Sequence, residues 1–406
     1  MKELTEIRKE LDIVDRQIVE LYKQRMELSD EVAAYKQQSG KPVYDKEREE
    51  EKLNTVVSLL EEDGLRKNGL NKDGLRQDAL NGNSLKQGIR ELFEQIMSIS
   101  RKRQYQILNL ARTDVTDRSL WVEKLPVSGR KVVFQGTDGA YSQVAMKEFF
   151  QDRCESFHVK TWRDAMETLV NNEADYAVLP IENTTAGIVS ENYDLIAEYN
   201  HFIVGELVIK VDHALLGVKG ASLNDITSVL SHPQALAQCS RFLEQNRNWK
   251  KVSMENTAVS ARKVKEENKK SQAAIANRLT ADIYGLDILA EKIVNVDTNE
   301  TRFIIVSAKE TYVENGDKIS ICFELPHESG SLYHILSHFI FNNLNMTKIE
   351  SRPIPGRNWE YRFFADFDGN LQDFAVKNAL TGIRNEARNF KLLGNYKQYE
   401  KRNGRG

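Results

Sequence analysis

The sequence predicts a multidomain protein that joins three fold classes in order: all-α, then α/β, then α+β of the ferredoxin-like kind. Three observations carry this. Apolar residues recur every three or four positions through most of residues 1–112. Between 130 and 308, short β-rich runs alternate with helical segments. Residues 318–397 then read β-α-β-β-α-β. A chain of 406 residues has room for two or three domains, and 40% apolar with 29% charged residues is ordinary for a globular core.

The helical third should hold three helices, at 3–38, about 46–61 and about 88–110. The first carries the seam Leu4, Ile7, Leu11, Val14, Ile18, Leu21, Leu28 and Val32, with Arg25 in the place of a leucine. "SGKPVYD" (39–45) interrupts the pattern, and Asp45 can cap the second helix. In 63–87 leucine recurs every fifth residue, at Leu65, Leu70, Leu75, Leu80 and Leu85. That period fits neither helix nor strand. A mobile repeat loop is expected there, since lengthening a surface loop costs little; the alternative is a partner-binding segment.

Charges fall inside this third. Lys36 lies eleven residues from Arg25 on nearly the same face, and Arg8 about 100° round from it. The third helix points Ile89, Leu92, Phe93, Ile96 and Met97 inward, then Ser100 and Gln104, then Ile107 and Leu108. The second opens with Asp45, Arg48 and Glu49 before Leu53, Val56 and Leu60. Buried charge is costly unless paired. Arg25 alone could be a seam-fixing salt bridge. The set on three helices suggests a cavity for a small dianion.

In the middle third, polar clusters sit beside expected strands, where α/β folds place ligands. They are "FQGTDGAYS" (134–142), "LPIENTTAG" (179–187), "LSHPQALAQ" (230–238) and "NETRF" (299–303). His232 can be read as a turn residue or as a ligand group. No metal-ligand spacing and no Walker or dinucleotide fingerprint occurs, so neither metal nor cofactor is expected.

The rest is exclusion. A net charge of −3 implies no nucleic-acid partner. No apolar run approaches ~18 residues, so no membrane span is expected. Cys154, Cys239 and Cys322 read as reduced thiols of a cytoplasmic chain. "MKELTEIRKELD" is charged from its second residue, so no secretory leader is expected. All seven histidines lie at or after His158, so chemistry in the first third must work without imidazole.

"EIRKELDIVDRQIVELYKQRMELSDEVAAYK…KPVYDKEREEE" and "LFEQIMSISRKRQ" resemble the all-helical chorismate mutases of the bacterial type. The resemblance implies an intertwined dimer whose active site uses Arg8 (serving the other subunit), Arg25, Lys36, Asp45, Arg48, Glu49, Ser100 and Gln104. It implies that arginines hold the two carboxylates of chorismate while Lys36 and Gln104 donate to the breaking ether oxygen. The blocks "GTDGAYS", "PIENT…G", "SHPQ…Q" and "TRF", with "YDLI" and "VDHALL", resemble prephenate dehydratase. That implies two α/β lobes, like type II periplasmic binding proteins, closing over prephenate. Thr301 would act at the leaving hydroxyl, Arg302 would hold a carboxylate, and Asn183, Ser231 and Gln238 would orient the substrate. Glu182 is the candidate acid beside Thr301.

"HESGSLYHILSHF" and "IESRP" resemble the phenylalanine-binding ACT domain. The resemblance implies an effector site from Gly330, Ser331 and Leu332 with Glu350, Ser351, Arg352 and Pro353; Tyr333 departs from the usual pattern and adds bulk. The order of the three matches is that of bifunctional chorismate mutase–prephenate dehydratases. Chorismate would become prephenate and then phenylpyruvate in a homodimer or larger homo-oligomer, without a cofactor and inhibited by L-phenylalanine. A degenerate aromatic-acid sensor and an extracellular solute-binding protein are the rival readings.

Overall fold

The computed structural model describes residues 2–67, 75–111, 118–151 and 153–399. Three helices come first: α1 (Leu4–Ser39), α2 (Lys46–Lys67) and α3 (Leu75–Ala111). Gly40 ends α1 at φ 68°, a conformation glycine adopts without steric cost. Asp45 caps α2 by accepting the Arg48 amide at 3.1 Å.

Two expectations change here. The tract 63–87 is not a loop where it is described: 63–67 continue α2 and 75–87 open α3, while 68–74 lie outside the described residues. Elongating a helix costs far less than nucleating one, and Leu, Arg, Lys and Gln are good helix formers. A five-residue period gives no stripe on a 3.6-residue helix, so it offers no helix signal in the sequence. The expected seam is also not the buried face. Within the chain α1 buries Met26, Ser29 and Ala33, one position on from Arg25, Leu28 and Val32. Leu4, Leu11, Ile18, Leu21 and Leu28 stay 55–64% exposed.

A short strand β1 (Trp121–Val122) leads to a domain of two lobes. The first contains β2 (Lys131–Gln135), α4 (Tyr141–Phe150), β3 (Glu155–Val159), α5 (Trp162–Val170), β4 (Tyr176–Asn183), β5 (Gly187–Ile188), α6 (Ser190–Tyr199) and β6 (Phe202–Lys210). The second contains β7 (Ala214–Gly217), β8 (Ser228–Ser231), α7 (Pro233–Gln238), α8 (Ser240–Gln245), β9 (Lys250–Ser253), α9 (Thr257–Glu267), β10 (Gln272–Ala276), α10 (Arg278–Tyr284) and β11 (Asp287–Ala290). The chain then returns to the first lobe as β12 (Glu300–Ser307).

Both sheets have one plan. Their orders are β3-β2-β4-β12-β6 and β9-β8-β10-β7-β11. In each lobe the strand by which the chain arrives from the other lobe, β12 or β7, is antiparallel to its neighbours, and β2, β3 and β4, like β8, β9 and β10, run parallel. Parallel strands covered on both faces read as continuous apolar runs, which is why "KVVF" and "AAIA" were legible as strands.

After β13 (Tyr312–Val313), paired with β1, comes β14 (Lys318–Glu324), α11 (Ser331–Phe341), β15 (Met346–Pro353), β16 (Tyr361–Asp368), α12 (Phe374–Glu386) and β17 (Arg388–Tyr396). The antiparallel order β15-β16-β14-β17 is ferredoxin-like. One face of this sheet packs Ile319, Ile321 and Phe323 on Phe339, Val376 and Ile383. The other packs Cys322, Phe364, Leu393 and Tyr396 into the core of the first lobe. A Cβ at Gly394 would stand 2.0 Å from the Ile203 carbonyl oxygen, so β17 can approach β6 only as glycine there. Helices α11 and α12 meet α3 on their far side. The C-terminal sheet therefore stands between the helical domain and the first lobe.

Candidate active sites

In the helical domain, Arg25 reaches across to α3: Nη1 lies 2.5 Å from Ser100 Oγ and 3.5 Å from the Ile96 carbonyl. Burial lowers its guanidinium pKa against the attraction of Glu49. Lys36 Nζ donates to the Val43 carbonyl at 2.7 Å. Burial lowers its pKa too, opposed by Asp45 and Glu49. Gln104 Nε2 donates to Ser29 Oγ at 3.1 Å, and its Oε1 is buried without a hydrogen-bond partner.

The structure thus brings Arg25, Lys36, Glu49, Ser100 and Gln104 together. It does not bring Arg8, which is exposed about 26 Å along α1 from Arg25. Asp45 spends an oxygen on the cap, and Arg48 is exposed and paired with Glu51 at 2.5 Å. Sequence reasoning missed Arg101. It bonds Glu49 on one side, reaches Glu386 Oε1 on α12 at 3.0 Å, and lies 5.0 Å from the Tyr44 ring centre. His338 Nε2 lies 3.2 Å from the same Glu386 oxygen. Next to it, Lys102 donates to Ser337 at 2.7 Å, and burial lowers its ammonium to about 8. The run "SRKR" (100–103) was the available signal: Arg101 and Lys102 within it are buried against a domain hundreds of residues away.

The second site is a cleft of about 300 Å³ between the lobes. Asn183 and Thr301 stand opposite each other in register on β4 and β12, and both line it. Asn183 Nδ2 lies 2.8 Å from Thr301 Oγ1, while its Oδ1 accepts the Thr185 and Ala186 amides at 3.0 and 2.8 Å. Gln238 crosses from the second lobe, donating to Thr185 Oγ1 at 3.0 Å. His213, missed from sequence though "VDHALL" contains it, lies where the chain passes between lobes. Its Nε2 is 3.1 Å from Gln238 Oε1 and its Nδ1 3.1 Å from Tyr141 Oη. Burial lowers the His213 pKa and raises that of Tyr141. His232 combines its two readings: Nδ1 accepts the Gln234 amide at 3.2 Å, and the residue lines the cleft.

Among the described residues, no aspartate, glutamate, lysine or arginine lines this cleft. Two helix starts face it instead. The first turn of α4 supplies Tyr141 and Ser142, and α9 supplies Asn256 and Thr257. Helix N-termini favour anions through their free N–H groups.

Three expected site residues are elsewhere. Arg302 does not reach the cleft: it bonds Glu206 at 2.7 Å, Asp366 at 2.7 Å and Tyr396 at 3.1 Å. Glu182 is paired with Lys348 at 2.6 Å. Both follow from the strand's period of two: neighbours of Thr301 and Asn183 must face the other way. Ser231 is buried at the end of β8, its hydroxyl donating to the Ile275 carbonyl at 2.7 Å.

In the C-terminal domain Gly330 (φ 80°) and Ser331 open α11, with Leu332 against the core. Along β15, Glu350 and Arg352 are half-buried and Ser351 and Pro353 exposed. Arg352 pairs with Asp194 of α6 at 2.7 Å. Strand β16 separates β15 from β14, so one chain does not bring the two blocks side by side.

Two catalytic domains and a third, ferredoxin-like one define the class: a multifunctional enzyme. The chorismate mutase type II family matches residues 7–105, and the prephenate dehydratase family matches 132–311. The bifunctional chorismate mutase/prephenate dehydratase of Buchnera aphidicola from Schizaphis graminum is 30% identical over 97% of this chain and 96% of its own length. The chain belongs to the bifunctional chorismate mutase/prephenate dehydratase family. Among solved structures, the prephenate dehydratase of Arthrobacter aurescens in complex with L-Phe is 31% identical, with a TM-score of 0.61 over 66% of this chain and 90% of that one. GqqA, described as a novel type of quorum-quenching acylase, is 29% identical with a TM-score of 0.62, over 67% of this chain and 99% of that one. A shared fold therefore does not by itself fix the reaction of the cleft.

Proposed function

We propose that the chain converts chorismate to prephenate at the helical site and prephenate to phenylpyruvate in the cleft, under inhibition by L-phenylalanine. The observation that carries this is the pairing of family membership over nearly the whole chain with two separate, chemically fitting polar sites.

The first reaction is a pericyclic rearrangement. It needs neither nucleophile nor proton transfer, only a held conformer and stabilised charge. Arg25 suits a substrate carboxylate. Lys36 and the second amide hydrogen of Gln104 suit the ether oxygen as negative charge grows on it. Arg8 comes from a second copy. The exposed seam of α1 supports a homodimer, since a long apolar stripe left in water is an interface awaiting cover.

The second reaction loses carbon dioxide and water from prephenate, and aromatisation drives it. The helix N-termini suit the dianion, Asn183 orients the Thr301 hydroxyl, and Thr301 bonds the leaving hydroxyl. The lobes' shared strand order supports the likeness to type II periplasmic binding proteins. The ferredoxin-like unit is an ACT domain whose Gly330–Leu332 and Glu350–Pro353 blocks meet across two copies around phenylalanine. Among the described residues the three cysteines form no disulfide, which supports a cytoplasmic protein.

The test is purified protein given chorismate, with prephenate and phenylpyruvate followed separately, with and without phenylalanine. Phenylpyruvate that forms from chorismate and falls with phenylalanine is expected. Turnover of neither chorismate nor added prephenate would overturn the reading in favour of a ligand sensor.

A further inference from the structure

Directly behind Asn183 and Thr301 lies an ordered set of four charges. On β4 and β12, Glu182 stands opposite Arg302 in register. On β15 and β16 of the C-terminal sheet, Lys348 stands opposite Asp366. Each charge is thus beside its opposite within its own sheet, an arrangement that favours strand pairing. The two rows also meet across the domain boundary: Lys348 Nζ lies 2.6 Å from Glu182 Oε2, and Arg302 Nη1 lies 2.7 Å from Asp366 Oδ2.

The backbone beneath is irregular in a way that matters. Phe303 pairs with Pro180 and Arg302 with Glu182, so Ile181 is an extra residue on β4. Such a bulge re-aims side chains. Here it lets Pro180 and Asn183, three apart, both line the cleft. A bulged strand is less determined by its own ladder than a regular one, and the charges hold it from behind.

We propose that the contacts Glu182–Lys348 and Arg302–Asp366 form a clamp through which the C-terminal sheet positions Asn183 and Thr301. Glu182, Arg302, Lys348 and Asp366 are then positioning residues of the dehydratase reaction, not substrate ligands. The inference rests on the dehydratase reading of the cleft.

The test is a double-mutant cycle on the full-length protein with Lys348→Met, Glu182→Gln and the pair, and Lys348→Arg as the conservative control. Each single variant is expected to lower kcat for prephenate about tenfold at near-native KM, because a small misplacement of reacting groups costs rate rather than binding. The pair should be no worse than either single variant, as coupled residues require. Lys348→Arg should keep the native kcat, and chorismate turnover should stay native throughout. Hydrogen exchange of the 176–188 backbone should quicken in Lys348→Met and not in Lys348→Arg. Native kcat and native exchange in the single variants would overturn the proposal, as would additive losses. A native chain that does not turn over prephenate overturns the reading of the cleft instead, and the exchange measurement then decides the clamp by itself.

Discussion

The Asn183 amide lies 2.8 Å from the Thr301 hydroxyl, and the two residues stand opposite each other on antiparallel strands at the floor of the cleft. Asn183 is itself fixed by the turn that follows it, since its carbonyl accepts the Thr185 and Ala186 amides. The hydroxyl is thereby oriented before substrate arrives.

Thr301→Val removes that hydroxyl and keeps the β-branched shape that suits a strand. The kcat for prephenate is expected to fall about 10²–10³-fold, with Thr301→Ser keeping most of it. Steady-state kinetics with thermal unfolding as a control decides this. Equal loss in both variants would mean that shape, not the hydroxyl, matters.

The mutase step should be sensitive to alkali. Burial lowers the pKa of Lys36 below the ordinary lysine value. The ammonium is the donor, so chorismate turnover should fall as pH rises through that lowered value, earlier than an exposed lysine would allow. Lys36→Arg should move the fall to higher pH. A pH–rate profile of chorismate consumption, flat to the ordinary lysine range, would contradict this.

The Arg101–Glu386 contact should appear as acid sensitivity. Burial by itself would raise the Glu386 pKa, but His338 and Arg101 more than offset it and hold it at about 2, against 4.5 normally. A depressed carboxylate contributes stability that is present above the unfolded value and lost as pH falls from 4.5 toward 2. That difference corresponds to about 3 kcal/mol. Urea unfolding across this window should show the native protein losing about that much more stability than Glu386→Gln. Parallel curves would refute it.

If Arg8 serves the other subunit, Arg8→Ala and Gln104→Ala should each abolish chorismate turnover, yet complement when coexpressed. Random pairing leaves about a quarter of the sites intact. No recovery in the mixed dimers would place Arg8 outside the site.

Legibility followed locality. Arg25, Ser100 and Gln104 could be found because each breaks an apolar pattern within its own helix, and Lys36 because it shares the Arg25 face. Arg101 and Lys102 were passed over, because residues distant in sequence bury them. The C-terminal strands were readable because β14 packs on both faces and carries the apolar run Ile319, Ile321, Cys322 and Phe323. Arg302 and Glu182 were misplaced for a reason the sequence did contain: adjacent strand residues face opposite ways, so neither can join its neighbour in the cleft. The tract 63–87 misled because a five-residue period matches no helix period, yet its described parts, 63–67 and 75–87, are helical.

The most direct measurement uses two variants and one substrate. Gln104→Ala and Thr301→Val are given chorismate separately and then mixed. The first should form no product from chorismate above background but turn over added prephenate. The second should accumulate prephenate. The mixture should form phenylpyruvate, because two independent sites need share only a diffusible intermediate. Phenylpyruvate from Thr301→Val at the native rate, or loss of both steps in either variant alone, would contradict two separate sites.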